Sequence, residues 1–356
     1  MKGNELKENA RPRIGFACAY TPLALIDAAG YAPYRILPLG DCPDQAGHIL
    51  HDNLCPHIKK ILDRAMDGDL PELDGVIFMN SCDAMRRLYD AWQAARPDDR
   101  TILVDLPVTA DATSVRFFTH ELMRLVKTLE VWSGKPLSPA AILKGIRRTN
   151  EVAAAIAGIR EKILSGQVKG GGQRLQTIYN HAATEPFERT LELISDAMQE
   201  KVQGKTNGGV PVYLFGNVMP DAEVFSLFES CGAIIAGEDL CTGSRLFSAI
   251  DESAAGDPLS SLAHGLLHRP PCARTIDTGN LSKMSEDILK NARACGARGI
   301  IGHAVKFCDP YIFRMPVLAA AFRNESFPLL TIEGDCTLRS LGQQRTRIEA
   351  FIEMLR

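Results

Sequence analysis

Short apolar runs alternate with longer amphipathic segments along the first third of the chain. The runs are short enough to be buried strands, and the segments between them carry apolar residues at helical spacing. Strands that alternate with helices of this length are typical of βαβ units and a parallel sheet. Four strands are predicted in this part of the chain: residues 13–18, 34–37, 76–79 and 101–105.

The same alternation returns in the second half, after a middle region that is predicted to be helical. The helical region covers residues 114–165, and a glycine-rich linker at 166–173 separates it from a further helix at 175–201. We therefore expect two similar α/β domains joined by a helical middle segment. The second half is predicted to contain four strands, 212–215, 233–236, 299–305 and 328–332, and a final helix at 342–355.

The composition is that of an ordinary globular chain, with 46% hydrophobic and 23% charged residues among 356. This length allows two domains, an N-terminal one with a helical extension over residues 1–165 and a C-terminal one over residues 174–356. The net charge of -3 gives no reason to expect nucleic acid or an anionic membrane as a partner. Residues 1–10 lack the apolar core of a signal peptide, and no membrane-length apolar run occurs. We expect a cytoplasmic protein with reduced thiols.

Several common local motifs are missing from the sequence. No G-x-G-x-x-G follows a predicted strand, and no H-E-x-x-H or C-x-x-C occurs. Gly204-Lys-Thr206 resembles the end of a P-loop, but the first glycine is replaced by Gln199 and the segment follows a helix. These absences exclude a Rossmann site, a ferredoxin-type cluster loop and a zinc ribbon as local motifs. Any metal site must be assembled from distant segments.

Ten cysteines is a high number for a chain whose thiols stay reduced. Cys18, Cys82, Cys241 and Cys308 lie at, or a few residues past, the ends of predicted strands, where open parallel sheets bind ligands. Thiolates gathered at that edge favour iron–sulfur chemistry over disulfides. The alternative is that these residues are structural, because free cysteine also packs as a small buried hydrophobe.

Four other cysteines carry no such signal. Cys231 and Cys295 each precede a glycine at the end of an amphipathic helix, so both are predicted to serve packing. Cys42 and Cys336 lie in predicted loops, and the sequence leaves their role open.

The sequence around the cysteines resembles that of the 2-hydroxyacyl-CoA dehydratase D-component family, which includes benzoyl-CoA reductase subunits and double-cubane cluster proteins. The resemblance runs almost from end to end, and the order and spacing of its phrases are more specific than any one of them. The phrases are Gly15-Phe-Ala-Cys-Ala-Tyr-Thr-Pro22, Ala28-Ala-Gly30, Asn53-Leu-Cys-Pro56, Ser81-Cys-Asp83, Asp105-Leu-Pro107, Asp239-Leu-Cys-Thr-Gly-Ser-Arg245, Lys306-Phe-Cys-Asp-Pro310, Ile332-Glu333, Asp335 and Gly342-Gln-Gln-Arg-Thr-Arg-Ile-Glu-Ala-Phe351.

This resemblance implies two flavodoxin-like domains and a [4Fe-4S] cluster held between them by Cys55, Cys82 and Cys308, with one iron free of cysteine. It also implies a separate ATP-hydrolysing iron–sulfur activator that delivers one electron at low potential. In the dehydratases that electron forms a ketyl radical from a 2-hydroxyacyl-CoA. In the reductases it drives reduction of an aromatic ring or of another small molecule. The resemblance thus implies a radical dehydratase or reductase component.

A second set of cysteines matches the double-cubane branch of the family. Cys241 and Cys272 lie where that branch carries extra cysteines, and with Cys18 they complete the six thiolates of an [8Fe-9S] double-cubane cluster. A double-cubane reductase of small molecules is therefore the alternative function. The simpler interpretation of Cys272 is a loop thiol beside two prolines.

The chain departs from the family pattern after Pro22. Many relatives carry an acidic residue there, but Leu23, Ala24 and Leu25 are apolar. Without a carboxylate at this place, acid–base chemistry falls to a paralogous subunit of a heterodimer, or the enzyme is a reductase that needs none. A homodimer and a non-catalytic electron-relay subunit remain alternatives. The relay subunit would have the space at the open iron filled by side chains, whereas a catalytic subunit needs a pocket there.

Other polar residues are candidates for the cleft or for ligand binding. Asp83, Asp309 and Glu333 follow strand ends, although helix capping explains Asp83 equally well. Arg245 and Lys306 are candidates for binding CoA phosphates or the activator, and a solvated surface position is the alternative for each.

Overall fold

Within the part of the chain that the computed structural model describes, eight parallel strands form two sheets of four strands each. The structure describes residues 11–40, 42–200, 208–336 and 342–356. The polar start of the chain at residues 1–10 and the P-loop-like Gly204-Lys-Thr206 lie outside these ranges.

The first sheet has the strand order β2-β1-β3-β4. Its strands are buried because they are short apolar runs covered by helices on both faces, as parallel sheets require. Its strands and helices are β1 (Arg13–Phe16), α1 (Leu23–Ala28), β2 (Ala32–Arg35), α2 (Pro56–Met66), β3 (Gly75–Asn80), α3 (Asp83–Ala95) and β4 (Thr101–Asp105).

Four helices form the middle segment and share a core with one face of the first sheet. The predicted helical region is broken at Gly134, which ends a helix with a φ of 68°, and Ser138 caps the next. The further helix is likewise broken, at Pro186, because proline ends the preceding helix. The helices are α4 (Ala112–Ser133), α5 (Pro139–Leu164), α6 (Gly171–Thr184) and α7 (Phe187–Gln199).

The second sheet repeats the order of the first, as β6-β5-β7-β8. Its elements are β5 (Val210–Gly216), α8 (Glu223–Ser230), β6 (Ala233–Asp239), α9 (Pro258–Leu267), α10 (Lys283–Ala294), β7 (Gly299–Val305), α11 (Asp309–Asn324), β8 (Leu329–Gly334) and α12 (Arg345–Leu355). No helix in the described ranges is long and apolar enough to cross a membrane.

The predicted fold class, two flavodoxin-like α/β domains with a helical region between them, is confirmed by these two sheets. One strand is shifted from its predicted place: the second strand covers Ala32–Arg35 rather than 34–37, because Phe16 pairs with Arg35. Each sheet reverses its winding once, between β1 and β3 in the first and between β5 and β7 in the second. The carboxyl ends at such switch points are where open α/β sheets bind ligands.

Candidate functional site

Three cysteines stand at the starts of three helices. Cys55, Cys82 and Cys308 are the N-cap residues of α2, α3 and α11. None of the three forms a cap hydrogen bond through its thiol, but first-turn backbone N–H groups face the sulfurs and act to lower their pKa, those of Ile58 at Cys55, Met85 at Cys82 and Tyr311 at Cys308. A helix N-terminus favours negative charge by its dipole. Three such termini therefore favour an anionic group at the three thiols.

Two of the three cysteines reach the site because they follow the ends of strands. Cys82 follows β3 and Cys308 follows β7, so each lies at the switch point of its own sheet. Cys55 instead follows a loop and begins α2 at Pro56. Phe307, beside Cys308, has a φ of 58°, a left-handed conformation that costs a bulky residue backbone strain. This strained turn connects β7 to the thiol-bearing start of α11.

The electrostatics of these three thiols are those of a buried cluster of like groups. Burial raises the pKa of Cys82, and the neighbouring thiolates of Cys55 and Cys308 raise it further. Burial also raises the pKa of Cys308 to about 12, with contributions from Cys272 and Cys55. Burial raises the pKa of Cys55, and Asp309 adds to the effect. Each thiol is therefore harder to ionise than a thiol in water unless a cation binds beside it.

A cavity of about 600 Å³ opens onto the same three thiols. Its wall is largely apolar, and several of its side chains are exposed at the rim, including Phe313 at 78% and Leu281 at 68%. Asp83, Asp309, Arg274 and Arg314 also line it, together with Val108, Ile276, Phe307 and Val317. The cavity is large enough for a small-molecule ligand.

The other three predicted site cysteines form a second group beside the first. Burial raises the pKa of Cys18, and the thiolates of Cys241 and Cys272 raise it further. Burial likewise raises the pKa of Cys272. Burial acts in the same direction on Cys241, but the guanidinium groups of Arg35 and Arg245 overcome it and lower the pKa of this thiol.

The two groups of cysteines adjoin each other. The thiolate of Cys18 acts on Cys82, and that of Cys272 acts on Cys308. Five of the six cysteines singled out in the sequence pack in one core, and the sixth, Cys272, packs in the adjoining cores with Cys18, Cys241 and Cys308, so all six lie in one neighbourhood built from both sheets. Cys336 is a seventh thiol there: it is buried, and the thiolates of Cys55, Cys308 and Cys241 contribute to the raised pKa of its thiol.

The remaining cysteines are placed elsewhere. Cys231 and Cys295 are the C-cap residues of α8 and α10, and Cys231 is buried in the core of the second domain. Cys42 donates a hydrogen bond from its thiol to Asp69. All ten cysteines have free thiols.

The charged candidates separate into buried and exposed residues. Arg245 is fully buried and pairs with Asp239 at 2.8 Å, so the alternative of a solvated surface position is wrong, and no exposed face of its side chain is left to meet CoA phosphates or the activator. Lys306 and Glu333 are exposed. Asp83 is the first residue of α3 rather than its cap, because the cap position is taken by Cys82.

Three polar residues near the thiols carry no sequence signal of their own. Asn217, directly after β5, accepts a hydrogen bond from Val305 N–H through its side-chain oxygen, and its carbonyl accepts one from Cys241 N–H. Arg35 donates to the carbonyl oxygen of Cys241 at 2.6 Å and to its sulfur at 3.0 Å. Arg269 stacks on Tyr20, and burial lowers the pKa of its guanidinium to about 10, so it stays charged at neutral pH.

The donor set fits a cluster better than a single ion. No three His, Cys, Asp or Glu side chains in the described ranges are close enough together to hold one metal ion. A cubane distributes its ligands over separate corners, so its thiolates stand farther apart than those around one ion. Buried Nε–H groups of Arg35, Arg269 and Arg274 have no hydrogen-bond partner. Such unpaired donors favour an anionic occupant.

Comparison with known proteins gives a consistent set of relatives. The sequence profile of the family described as 2-hydroxyglutaryl-CoA dehydratase, D-component, matches residues 18–355. The chain is 26% identical to the lactoyl-CoA dehydratase subunit beta of Anaerotignum propionicum, over 98% of this chain and 93% of that protein. It is 23% identical to the (R)-phenyllactyl-CoA dehydratase beta subunit of Clostridium sporogenes, over 98% and 93%. It is also 23% identical to a subunit of the benzoyl-CoA reductase of Thauera aromatica, over 91% and 86%.

Proposed function

The chain belongs to the 2-hydroxyglutaryl-CoA dehydratase D-component family and is an enzyme component, and on that premise we propose that it works as the iron–sulfur component of a 2-hydroxyacyl-CoA dehydratase or benzoyl-CoA reductase-type enzyme. A [4Fe-4S] cluster held by Cys55, Cys82 and Cys308 would leave one iron without a cysteine ligand. The cluster supplies low-potential one-electron chemistry when it is bound. The substrate is an acyl-CoA or a related small molecule.

One observation carries this proposal: three thiols from distant segments begin three helices around one open cavity. The helix dipoles support the negative charge of a thiolate-ligated cluster. The cavity also favours a catalytic subunit over an electron relay, because a relay subunit needs no free space beside the cluster.

The residues of the cavity have separate tasks in this proposal. Phe313 and Leu281 form an apolar rim that removes water from a bound acyl chain. Arg274 and Arg314 donate hydrogen bonds to backbone carbonyls and form no ion pair in the described ranges. Their positive charge is therefore available to an anionic or carbonyl oxygen of the substrate. Asp83 and Asp309 are the carboxylates at the cavity and are the candidates for moving a proton.

The missing acidic residue after Pro22 favours a partner subunit. Leu23, Ala24 and Leu25 are buried in the core, and the nearby Asp27 is ion-paired with Arg11. The relatives named as beta subunits belong to multi-subunit dehydratases. We therefore favour a heterodimer with a paralogous subunit that contributes the catalytic acid, served by an ATP-dependent iron–sulfur activator; a homodimer is the alternative.

A second candidate function is a double-cubane reductase of small molecules. It is favoured by the group of Cys18, Cys241 and Cys272, which adjoins the first group and supplies three further thiolates. An [8Fe-9S] cluster would then be held by all six cysteines.

Anaerobic purification followed by iron and sulfide analysis tests both proposals. About four irons per chain support one cubane, and about eight support the double form. Cys82→Ser is expected to lose most of the iron, whereas the matched control Cys231→Ser, at a buried thiol outside the site, keeps it. Cys241→Ser halves the iron only if a second cubane exists. A chain without iron, or equal iron in Cys82→Ser and the control, would refute the site.

A further inference from the structure

Three buried arginines surround the second group of thiols. Arg35 and Arg245 are both 0% exposed and Arg269 is 7% exposed. Arg35 and Arg245 act on the thiolate of Cys241, Arg245 acts on that of Cys272, and Arg269 interacts with Cys18 and Cys241. We call Arg35, Arg245 and Arg269 the arginine shell.

The arginine shell carries more positive charge than the neighbouring carboxylates neutralise. Arg245 pairs with Asp239 at 2.8 Å. Arg35 and Arg269 form no ion pair with any described carboxylate: Arg35 donates to the carbonyl and sulfur of Cys241, and Arg269 donates to the carbonyls of Ala19 and Arg245. A buried charge without a partner is costly. Two uncompensated cations at one buried place therefore call for an anion between them.

The first group of thiols has a different electrostatic setting. Two arginines, Arg274 and Arg314, line its cavity, but two carboxylates, Asp83 and Asp309, line it as well. These four groups border an open cavity, where solvent screens charge more than in the interior. The negative charge at this site is met by the helix starts at the thiols rather than by fully buried cations.

We propose that the arginine shell makes the cluster at Cys18, Cys241 and Cys272 the higher-potential half of a double centre, so that an electron entering the protein rests there. The inference depends on the proposed function, in its double-cubane form. One electron comes from the low-potential iron–sulfur activator and adds one negative charge to the cluster, and no bond forms or breaks. Buried cations stabilise that added charge and so raise the reduction potential.

Arg35 is the positioning residue to test, because it donates to a cluster-bearing sulfur without belonging to the ligand set. Arg35→Gln removes the charge, and Arg35→Lys keeps the charge but loses the two-pronged donor. Arg64→Gln is the matched control, since Arg64 lies in the same domain and pairs with Asp69 at a distance from both groups. The measurement is a redox titration of the iron-loaded chain followed by electron paramagnetic resonance.

Cys241→Ser identifies which reduction step belongs to the second cubane, because that step disappears. We expect the step that disappears to be the one at more positive potential. In Arg35→Gln the equilibrium constant of the same reduction step falls by a factor of at least about 10. For one electron this is a shift of about 59 mV to more negative potential. Arg35→Lys keeps most of the potential, and Arg64→Gln is unchanged.

The outcomes separate this inference from the proposed function. If the chain holds four irons and Cys241→Ser keeps them all, the second cubane does not exist and the inference is overturned, while the first site stands. If both steps are present but Arg35→Gln leaves them in place, or the lost step is the more negative one, the shell does not set the potential. Absence of iron in the wild-type chain overturns both proposals.

Discussion

The close contact between α5 and α1 offers the sharpest test of the packing that supports the site. Gly145, in α5, is buried, and a Cβ added there would lie 3.1 Å from the carbonyl carbon of Ala24 and closer still to its oxygen. Since backbone cannot rotate away like a side chain, Gly145→Ala must push α1 outward. Overpacking of this kind costs about 1–3 kcal/mol. The helix that moves is the one that follows the Cys18 loop.

A second glycine of the same helix serves as the control. Among the residues that the structure describes, a Cβ at Gly158 would meet only Met198, at an ordinary 3.7 Å. Both substitutions gain about 1 kcal/mol from the higher helix propensity of alanine. We therefore expect Gly158→Ala to stabilise the chain by about 1 kcal/mol and Gly145→Ala to fall about 1–3 kcal/mol below it. The difference isolates the steric cost.

Urea unfolding of the iron-free chain, followed by circular dichroism, measures both variants under the same conditions. The urea concentration at the unfolding midpoint should be highest for Gly158→Ala and lower for the wild type. It should be lowest for Gly145→Ala whenever the steric cost exceeds the propensity gain. Equal midpoints for the two variants would show that α1 and α5 are not in the contact described. That result would refute the reasoning.

Three further predictions concern charge and the cavity. Asp239→Asn leaves the guanidinium of the fully buried Arg245 without its counter-ion, so urea unfolding should show a loss of about 3–5 kcal/mol, and a loss under about 1 kcal/mol would contradict the pairing. Burial lowers the pKa of His303 from 6.5 to about 4, so below pH 6.5 the unfolded chain binds a proton that the folded chain does not. The free energy of unfolding should therefore fall by about 2 kcal/mol from pH 7 to pH 5, and His303→Leu should remove this dependence. Phe313→Asp, at a side chain 78% exposed, should leave the melting temperature within about 2 °C but lower turnover of the assembled enzyme; unchanged turnover would remove this rim from the substrate site.

The sequence pattern predicted the two sheets because each strand is a short apolar run between amphipathic helices. It misplaced the second strand by two residues, since Ile36 and Leu37 are as apolar as a strand but bury themselves past its end. It also merged α4 with α5 and α6 with α7. Helical periodicity continues across a short break, and only Gly134 and Pro186 mark where the chain turns.

The site was predictable as far as its chemistry is carried by cysteine. Cys18, Cys82, Cys241 and Cys308 lie near strand ends, so their meeting could be inferred from topology. Cys55 and Cys272 lie in loops, and only the family resemblance singled them out. Arg35 could not be found in this way. It lies at the end of a strand, where an arginine is ordinarily solvated, and its partner Cys241 is 206 residues away. Its role depends on tertiary burial, which no local pattern encodes.

Two groups of thiols in one neighbourhood raise the question of why they are supported so differently. Helix starts provide partial charges that act over a short range and leave the cavity open, which suits a cluster that must meet a substrate. The full charges of the buried arginines act more strongly, which suits a cluster that must hold an electron. On the double-cubane proposal, the contrast between Cys82 and Cys241 is therefore a gradient of potential within one centre. The same contrast predicts an order of response to an added substrate analogue. The potential of the reduction step that is lost in Cys82→Ser should change at a lower analogue concentration than the potential of the step that is lost in Cys241→Ser.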